Sequence, residues 1–358
     1  MFVYSVFFVL IIVLSISLKD VTRHQLANHK RVTYLLLAIG MMWLMMGLRD
    51  INVGVDTRSY VNRFKYITLA DVKNATEPLY QISTYTVRIF TSNYHIFLIV
   101  TTFPLCYALY TLMSRYLKLS SEILIGICVF FVFGIYSFGV SAVRQTIALS
   151  IVVLGGIVLD RGKWKRFLVL IAIATGFHNT ALIAILLLPL KRFDLKWYGA
   201  LIVICFFYIS LIIPRDFASL LIAASDVEGV KYGNYGTSYE SELSLAGFYL
   251  QLIPMLLVYI RRNHLLLEQK TQNLFLNSAY IGLGVQTMTT VVAEFYRISF
   301  YFCVFDIVLI SLALTSLPKQ YRTLAKITFV IGCLLYMFFI GQDGVMPLPD
   351  KNASNYGY

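Results

Sequence analysis

The stretch Phe167–Leu188, FLVLIAIATGFHNTALIAILLL, decides how the chain is threaded. It is long enough to cross a bilayer, which takes about 20 apolar residues. Its middle, Gly176-Phe177-His178-Asn179-Thr180, is polar and suits a break. Basic residues flank it on both sides: Arg161, Lys163, Lys165 and Arg166 before, Lys191, Arg192 and Lys196 after. A single crossing would put these two clusters on opposite faces, against the tendency of lysine and arginine to stay cytoplasmic. Two half-helices that enter and return remove the conflict. Irregular backbone at membrane depth is tolerated only where protein or a water-filled cavity surrounds it. A re-entrant hairpin over 167–188 therefore implies a cavity near His178.

The rest of the chain supports a membrane setting. Hydrophobic residues make up 59% and charged residues 13% of 358 residues. Mean hydropathy is +0.74. A soluble domain carries about twice that charged fraction. Apolar runs at 2–18, 32–48, 94–113, 122–140, 142–159, 197–213, 244–260, 273–293, 298–316 and 324–341 read as about ten transmembrane helices in one integral membrane domain, 1–358. The first run has no basic leader and no small-residue cleavage site, so it reads as a retained span. The net charge of +12 is explained by basic cytoplasmic loops rather than by nucleic acid. The cysteines Cys106, Cys128, Cys205, Cys303 and Cys333 all fall in apolar runs without ligand or pairing spacing, as small membrane-core residues do.

Loop charge then sets orientation. Segments 19–31, 161–166, 261–270 and 319–326 are basic and belong inside. Segment 214–243 holds Asp216, Asp226, Glu228, Glu240 and Glu242 against Arg215 and Lys231, so it reads as an outer loop, rich in tyrosine and glycine. Both termini and the polar stretch that begins Arg49-Asp50-Ile51-Asn52 then also lie outside. Within the outer loop 49–93, residues 77–93 place Leu79, Ile82, Thr86, Ile89 and Phe90 on one helical face and Gln81, Thr84, Arg88 and Thr91 opposite. That pattern, with Pro78 in a first turn, predicts a helix lying at the outer interface.

Ionisable groups at membrane depth are costly and mark functional sites. Arg49, Asp50, Asp56, Arg58, Glu77, Arg144, His178, Glu294 and Arg297 all map to the outer half, while Asp306 lies deeper in a span and reads as a buried hydrogen-bonded group rather than a catalytic one. Arginines bind phosphate through paired donors, and a carboxylate or histidine can take a proton. Plainer readings compete. Arg49 or Arg58 could pair with Asp50 or Asp56, Arg144 beside Gln145 could snorkel to the interface, and Glu294 could pair with Arg297. The outer loop's tyrosines, among them Tyr235, read as a flexible loop or a sugar-stacking lid. No phosphate-binding glycine loop, zinc-ligand spacing or nucleophile elbow is present in the sequence, which argues against an ATP-driven pump.

Arg49 with Val53-Gly54-Val55-Asp56-Thr57-Arg58-Ser59-Tyr60, then Glu77-Pro78-Leu79-Tyr80, Val143-Arg144-Gln145-Thr146-Ile147-Ala148 and Gly176-Phe177-His178-Asn179-Thr180-Ala181, resembles the EpsG-like family, which includes Wzy-type O-antigen and capsule repeat-unit polymerases. Order and spacing are similar over about residues 45–185, and the second half matches in helical character, with Arg297 the best late arginine. The layout is more loosely similar to GT-C glycosyltransferases, with one extra leading helix.

The resemblance implies repeat units linked to undecaprenyl pyrophosphate and polymerised at the periplasmic face of the bacterial inner membrane. It also implies a repeat-unit flippase and a chain-length regulator as partners. The pyrophosphate is the leaving group, so no cofactor or metal is expected. The expected catalytic residues are Asp56, His178 and Glu77, with Asp56 or His178 as acceptor base. Arg49, Arg58, Tyr60, Arg144, Gln145, Arg297 and Tyr235 are expected to bind pyrophosphate or glycan. Two alternatives stand beside a polymerase: an outer-face glycosyltransferase or ligase making a single addition, and a lipid-linked glycan flippase with access to both faces.

Overall fold

A computed structural model describes residues 2–18, 25–195, 197–213, 245–292 and 294–340. All regular structure among them is helical. Helix α1 spans Phe2–Ser17 and α2 Gln25–Gly47. The loop 49–93 then forms three short helices, α3 (Thr57–Tyr66), α4 (Leu69–Lys73) and α5 (Pro78–Phe90). Next come α6 (Tyr94–Tyr116), α7 (Ser120–Val132), α8 (Ile135–Ser141), α9 (Val143–Asp160) and α10 (Trp164–Phe177). A 3-10 segment, Asn179–Leu186, leads to α11 (Leu187–Leu190). The remainder is α12 (Tyr198–Ile212), α13 (Ala246–Arg261), α14 (Gln269–Thr287), α15 (Phe295–Cys303), α16 (Asp306–Thr315) and α17 (Lys319–Leu335).

Every expected span becomes helix, but not every one becomes a full crossing. Tyr94–Tyr116, Val143–Asp160 and Lys319–Phe339 are long and apolar enough to cross a membrane, and counting two bent pairs gives up to five. The expected run 122–140 bends by 56° between α7 and α8, where Gly134 takes φ 76° and ends the first helix as left-handed glycines commonly do. The run 298–316 bends by 52° between α15 and α16. Others fall short: α12 has 15 residues, roughly 22 Å at 1.5 Å per residue, against a hydrocarbon core of about 30 Å.

Helix α9 is the axis of the bundle, with α6 and α10 packed along it. Its C-terminal end is a polar clasp. Asp160 accepts from Tyr116 Oη at 2.8 Å, Arg115 Nη2 at 3.3 Å and Thr271 Oγ1 at 2.5 Å. Lys191 Nζ donates to the carbonyls of Leu159 and Asp160 at 2.6 Å each. A carboxylate is unfavourable at a helix C-terminus, and these donors offset it. They also fix the path of the chain. Helix α10 leaves from the Asp160 end, His178 lies at the Arg144 end, and Lys191 is back at Asp160. The backbone breaks at His178, which is extended at φ −158° and ψ 122°.

Helix α5 lies the other way round from a soluble amphipathic helix. Its buried residues are Tyr80, Gln81 and Thr84, while Ile82, Ile89 and Phe90 are exposed. The polar face meets the protein and the apolar face points outward, as at a lipid interface.

Candidate functional site

A cavity of about 190 Å³ opens where α3, α5, α9, the break at His178 and α15 converge. Asp56, Ser59, Tyr60, Arg63, Tyr80, Ala142, Arg144, Gln145, His178 and Arg297 line it. Each element delivers its side chains for a local reason. Asp56 precedes α3, and Ser59, Tyr60 and Arg63 follow at helical spacing on one face. Glu77 and Tyr80 come from the start of α5, where Pro78 occupies the first turn. Arg144 and Gln145 open α9. Arg297 lies in the first turns of α15.

The wall is organised by Glu77, which is 5% exposed. Its Oε2 accepts from Arg144 Nη1 at 2.5 Å, and its Oε1 lies 2.5 Å from His178 Nδ1. Burial pushes this carboxyl up, but the hydrogen bond to His178 and the Arg144 charge outweigh it and hold Glu77 below the usual carboxylate range. His178 Nε2 has no hydrogen-bond partner among the described residues, and His178 lines the cavity.

Asp56 behaves differently. Its carboxylate makes no hydrogen bond among the described residues, and it gives α3 no side-chain cap. Burial pushes its pKa up, against the lowering pull of Arg297 and Arg144. Tyr60 packs edge-on against Tyr80 at 6.0 Å, and the Arg144 guanidinium stands 6.0 Å from the Tyr80 ring. The Tyr80 side chain is fully buried. Gln145 Nε2 donates to the Arg297 carbonyl at 3.2 Å, tying α9 to α15. Thr180 Oγ1, 3.1 Å from Tyr301 Oη, ties the hairpin to α15.

The structure brings Asp56, Tyr60, Arg144, Gln145, His178 and Arg297 to one cavity, with Glu77 directly behind. Arg49 and Arg58 do not line it. Arg49 is 5% exposed. It donates to the carbonyl of Met46, to the Val140 carbonyl at 2.8 Å and to Thr57 Oγ1 at 3.3 Å. Burial lowers its pKa to about 10, so it stays charged at neutral pH while binding backbone rather than facing the cavity. Neighbouring Gly54, at φ +92°, is where a Cβ would meet Thr57 Oγ1 at 2.7 Å and the Val140 carbonyl at 3.0 Å. Arg58 is exposed and donates to Asn52 Oδ1 at 2.5 Å, and Asn52 in turn donates to Asp50. Tyr235 and the whole of the outer loop 214–243 lie outside the described residues.

Sequence reasoning passed over Arg63, Ser59 and Tyr80. The signal was present: 56, 59, 60 and 63 form one polar stripe at i, i+3, i+4 and i+7. Arg63 is held from α5, where the Gln81 amide oxygen, correctly oriented, accepts from its Nε at 3.1 Å and Nη2 at 2.8 Å. With three arginines, Asp56 and Glu77, the ionised groups sum to about +1 when His178 is neutral. Such a site suits a polar anion with hydroxyl groups nearby.

No curated protein and no solved structure matches the chain. The EpsG family model matches residues 32–347, a span that includes every described cavity residue, and the chain belongs to the EpsG family.

Proposed function

We propose that this protein polymerises oligosaccharide repeat units carried on undecaprenyl pyrophosphate, at the periplasmic face of the bacterial inner membrane. The family is one of polysaccharide-related membrane proteins. The observation that carries the reading is the Glu77–His178 pair, with 2.5 Å between Oε1 and Nδ1, beside arginines in one cavity. A carboxylate on Nδ1 favours the tautomer with the proton there and leaves Nε2 as a base. His178 Nε2 takes the proton from the acceptor hydroxyl of an incoming unit. That oxygen attacks the anomeric carbon of the growing chain, and the anomeric carbon–phosphate oxygen bond breaks. Undecaprenyl pyrophosphate leaves. Arg144 and Arg297, with Arg63, balance the negative charge that grows on it.

Asp56, free of hydrogen bonds among the described residues, faces the positive charge that develops on the donor sugar ring. Glu77 positions His178 and Arg144. Arg49 and Gly54 hold the loop that carries Asp56. A flippase that delivers units and a chain-length regulator complete the proposed setting.

The test is complementation of a deletion strain with His178→Ala, Asp56→Asn and Arg144→Ala, each at matched protein level. The polysaccharide ladder should collapse to a single repeat unit, because losing a general base alone costs roughly 10²–10⁴-fold in rate. Full-length polymer from all three variants would overturn the site.

A further inference from the structure

Gln145 is the cavity side chain whose polarity the fold fixes. It stands in the first turn of α9, next to Arg144, and lines the cavity, yet only 4% of it is exposed. Its Nε2 donates to the Arg297 carbonyl at 3.2 Å and to Thr180 Oγ1 at 3.5 Å. The Tyr301 hydroxyl bonds the same side chain and lies 3.1 Å from Thr180 Oγ1. These oxygens come from α15 and from the 3-10 segment that follows the break at His178. Tyr301 is fully buried, and Ala181 N donates to the His178 carbonyl at 3.0 Å, so Thr180 is held in a closed turn.

An amide has a donor end and an acceptor end, and its hydrogen-bond partners decide which is which. The Arg297 carbonyl can only accept, so Nε2 must face it. Swapping the two ends would set one acceptor oxygen against another. With Nε2 turned to the cluster of oxygens, Oε1 is the end left over. It makes no hydrogen bond among the described residues, and it is not sealed from solvent. Polar groups at a buried position are rarely left without a partner. A ligand in the cavity supplies one if it brings a donor.

We propose that Gln145 Oε1 accepts a hydrogen bond from a hydroxyl of the sugar joined to the pyrophosphate, with Thr180 and Tyr301 as the positioning residues that keep this end of the amide free. This role rests on the polymerase reading and names the part of the substrate that Gln145 recognises. The phosphate oxygens of a lipid-linked pyrophosphate carry no proton, and an amide oxygen only accepts, so the two repel. A sugar hydroxyl donates and fits. Gln145 follows Arg144 in sequence and is bonded to the Arg297 carbonyl, so it stands beside the cations that take the pyrophosphate. The hydroxyl it reaches is therefore on the adjoining ring. A site built to hydrogen-bond a hydroxyl rejects a ligand that lacks it.

The test measures equilibrium binding to the purified full-length protein in lipid nanodiscs, in a His178→Ala background so that bound units are not joined. The two probes are undecaprenyl pyrophosphate carrying the repeat unit and bare undecaprenyl pyrophosphate. Gln145→Met, close in volume but without the amide, should weaken the unit-bearing lipid by roughly fivefold, the size of one neutral hydrogen bond. It should leave the bare lipid unchanged. Thr180→Val should act in the same direction to a smaller degree, and Thr180→Ser should restore the binding. Arg144→Ala should weaken both lipids. Thermal unfolding of each variant separates a lost contact from a lost fold. Equal weakening of both lipids in a folded Gln145→Met protein would put Gln145 on the pyrophosphate and overturn the proposal. Unchanged binding of both lipids would overturn it too. Failure of the polymerase reading shows differently: a protein with His178 intact then forms no ladder from the same unit-bearing lipid.

Discussion

Glu77 shows how one buried carboxylate can set the state of a whole site. Its two oxygens are taken by different partners, so neither Arg144 nor His178 can move without disturbing the other. Its folded-state pKa lies below the ordinary 4.5. Its contribution to stability is therefore complete above 4.5 and is lost as pH falls through the folded value. Glu77→Gln should be less stable than the wild type at neutral pH, with the gap closing as pH falls from 4.5 through the lowered folded value. Thermal unfolding across that range checks it, and a constant gap would contradict it. Asp56 has the opposite sign. Its folded pKa is raised above the ordinary 3.8, so stability falls as pH rises from 3.8 through the folded value. Asp56→Asn should be at least as stable as the wild type at neutral pH while losing activity. A marked fall in its unfolding temperature would show that Asp56 holds the fold instead. Gly54→Ala should destabilise by about 1 kcal/mol or more, through the positive φ alone.

At the scale of elements, the sequence made the helices legible and their ends less so. The apolar runs and the amphipathic pattern of 77–93 are properties of neighbouring residues, and they appear as α5 and the bundle helices. Which face of α5 turns inward is not a local property. It depends on what Gln81, Thr84 and Tyr80 meet, and Arg63 of α3 is part of that answer. The bend at Gly134 was similarly hidden, because Phe133 and Ile135 on either side keep the run apolar. Arg49 illustrates the limit at the site. Its residue type and its place in a polar stretch suggest phosphate, but it is occupied by the Met46 carbonyl just before it, at the end of α2, and by the Val140 carbonyl at the end of α8, 91 residues away. If the outward face of α5 lies in lipid, Phe90→Trp should add a blue-shifted emission that brominated lipids quench, above the background of the native tryptophans. An unquenched, water-like emission would contradict that placement.

At the scale of the molecule, α9 links two polar centres at opposite ends of one helix: the clasp at Asp160 and the cavity at Arg144. The hairpin joins them twice, outward through α10 and back through the 3-10 segment and α11. In a membrane, positions 165 and 192 should then react from one face and position 59 from the other. Single cysteines at these sites, in a background lacking the exposed Cys205, read this directly with an impermeant thiol reagent. Reaction of 165 and 192 from opposite faces would mean a single crossing. Above both centres stands the claim that the cavity joins glycans at the expense of a lipid pyrophosphate. The most direct measurement supplies the purified protein in vesicles with the lipid-pyrophosphate-linked repeat unit alone, and follows both products. The predicted result is a ladder of repeats with one undecaprenyl pyrophosphate released for each linkage formed, abolished by His178→Ala. Release without any ladder, a single addition only, or an unchanged ladder from His178→Ala would contradict it.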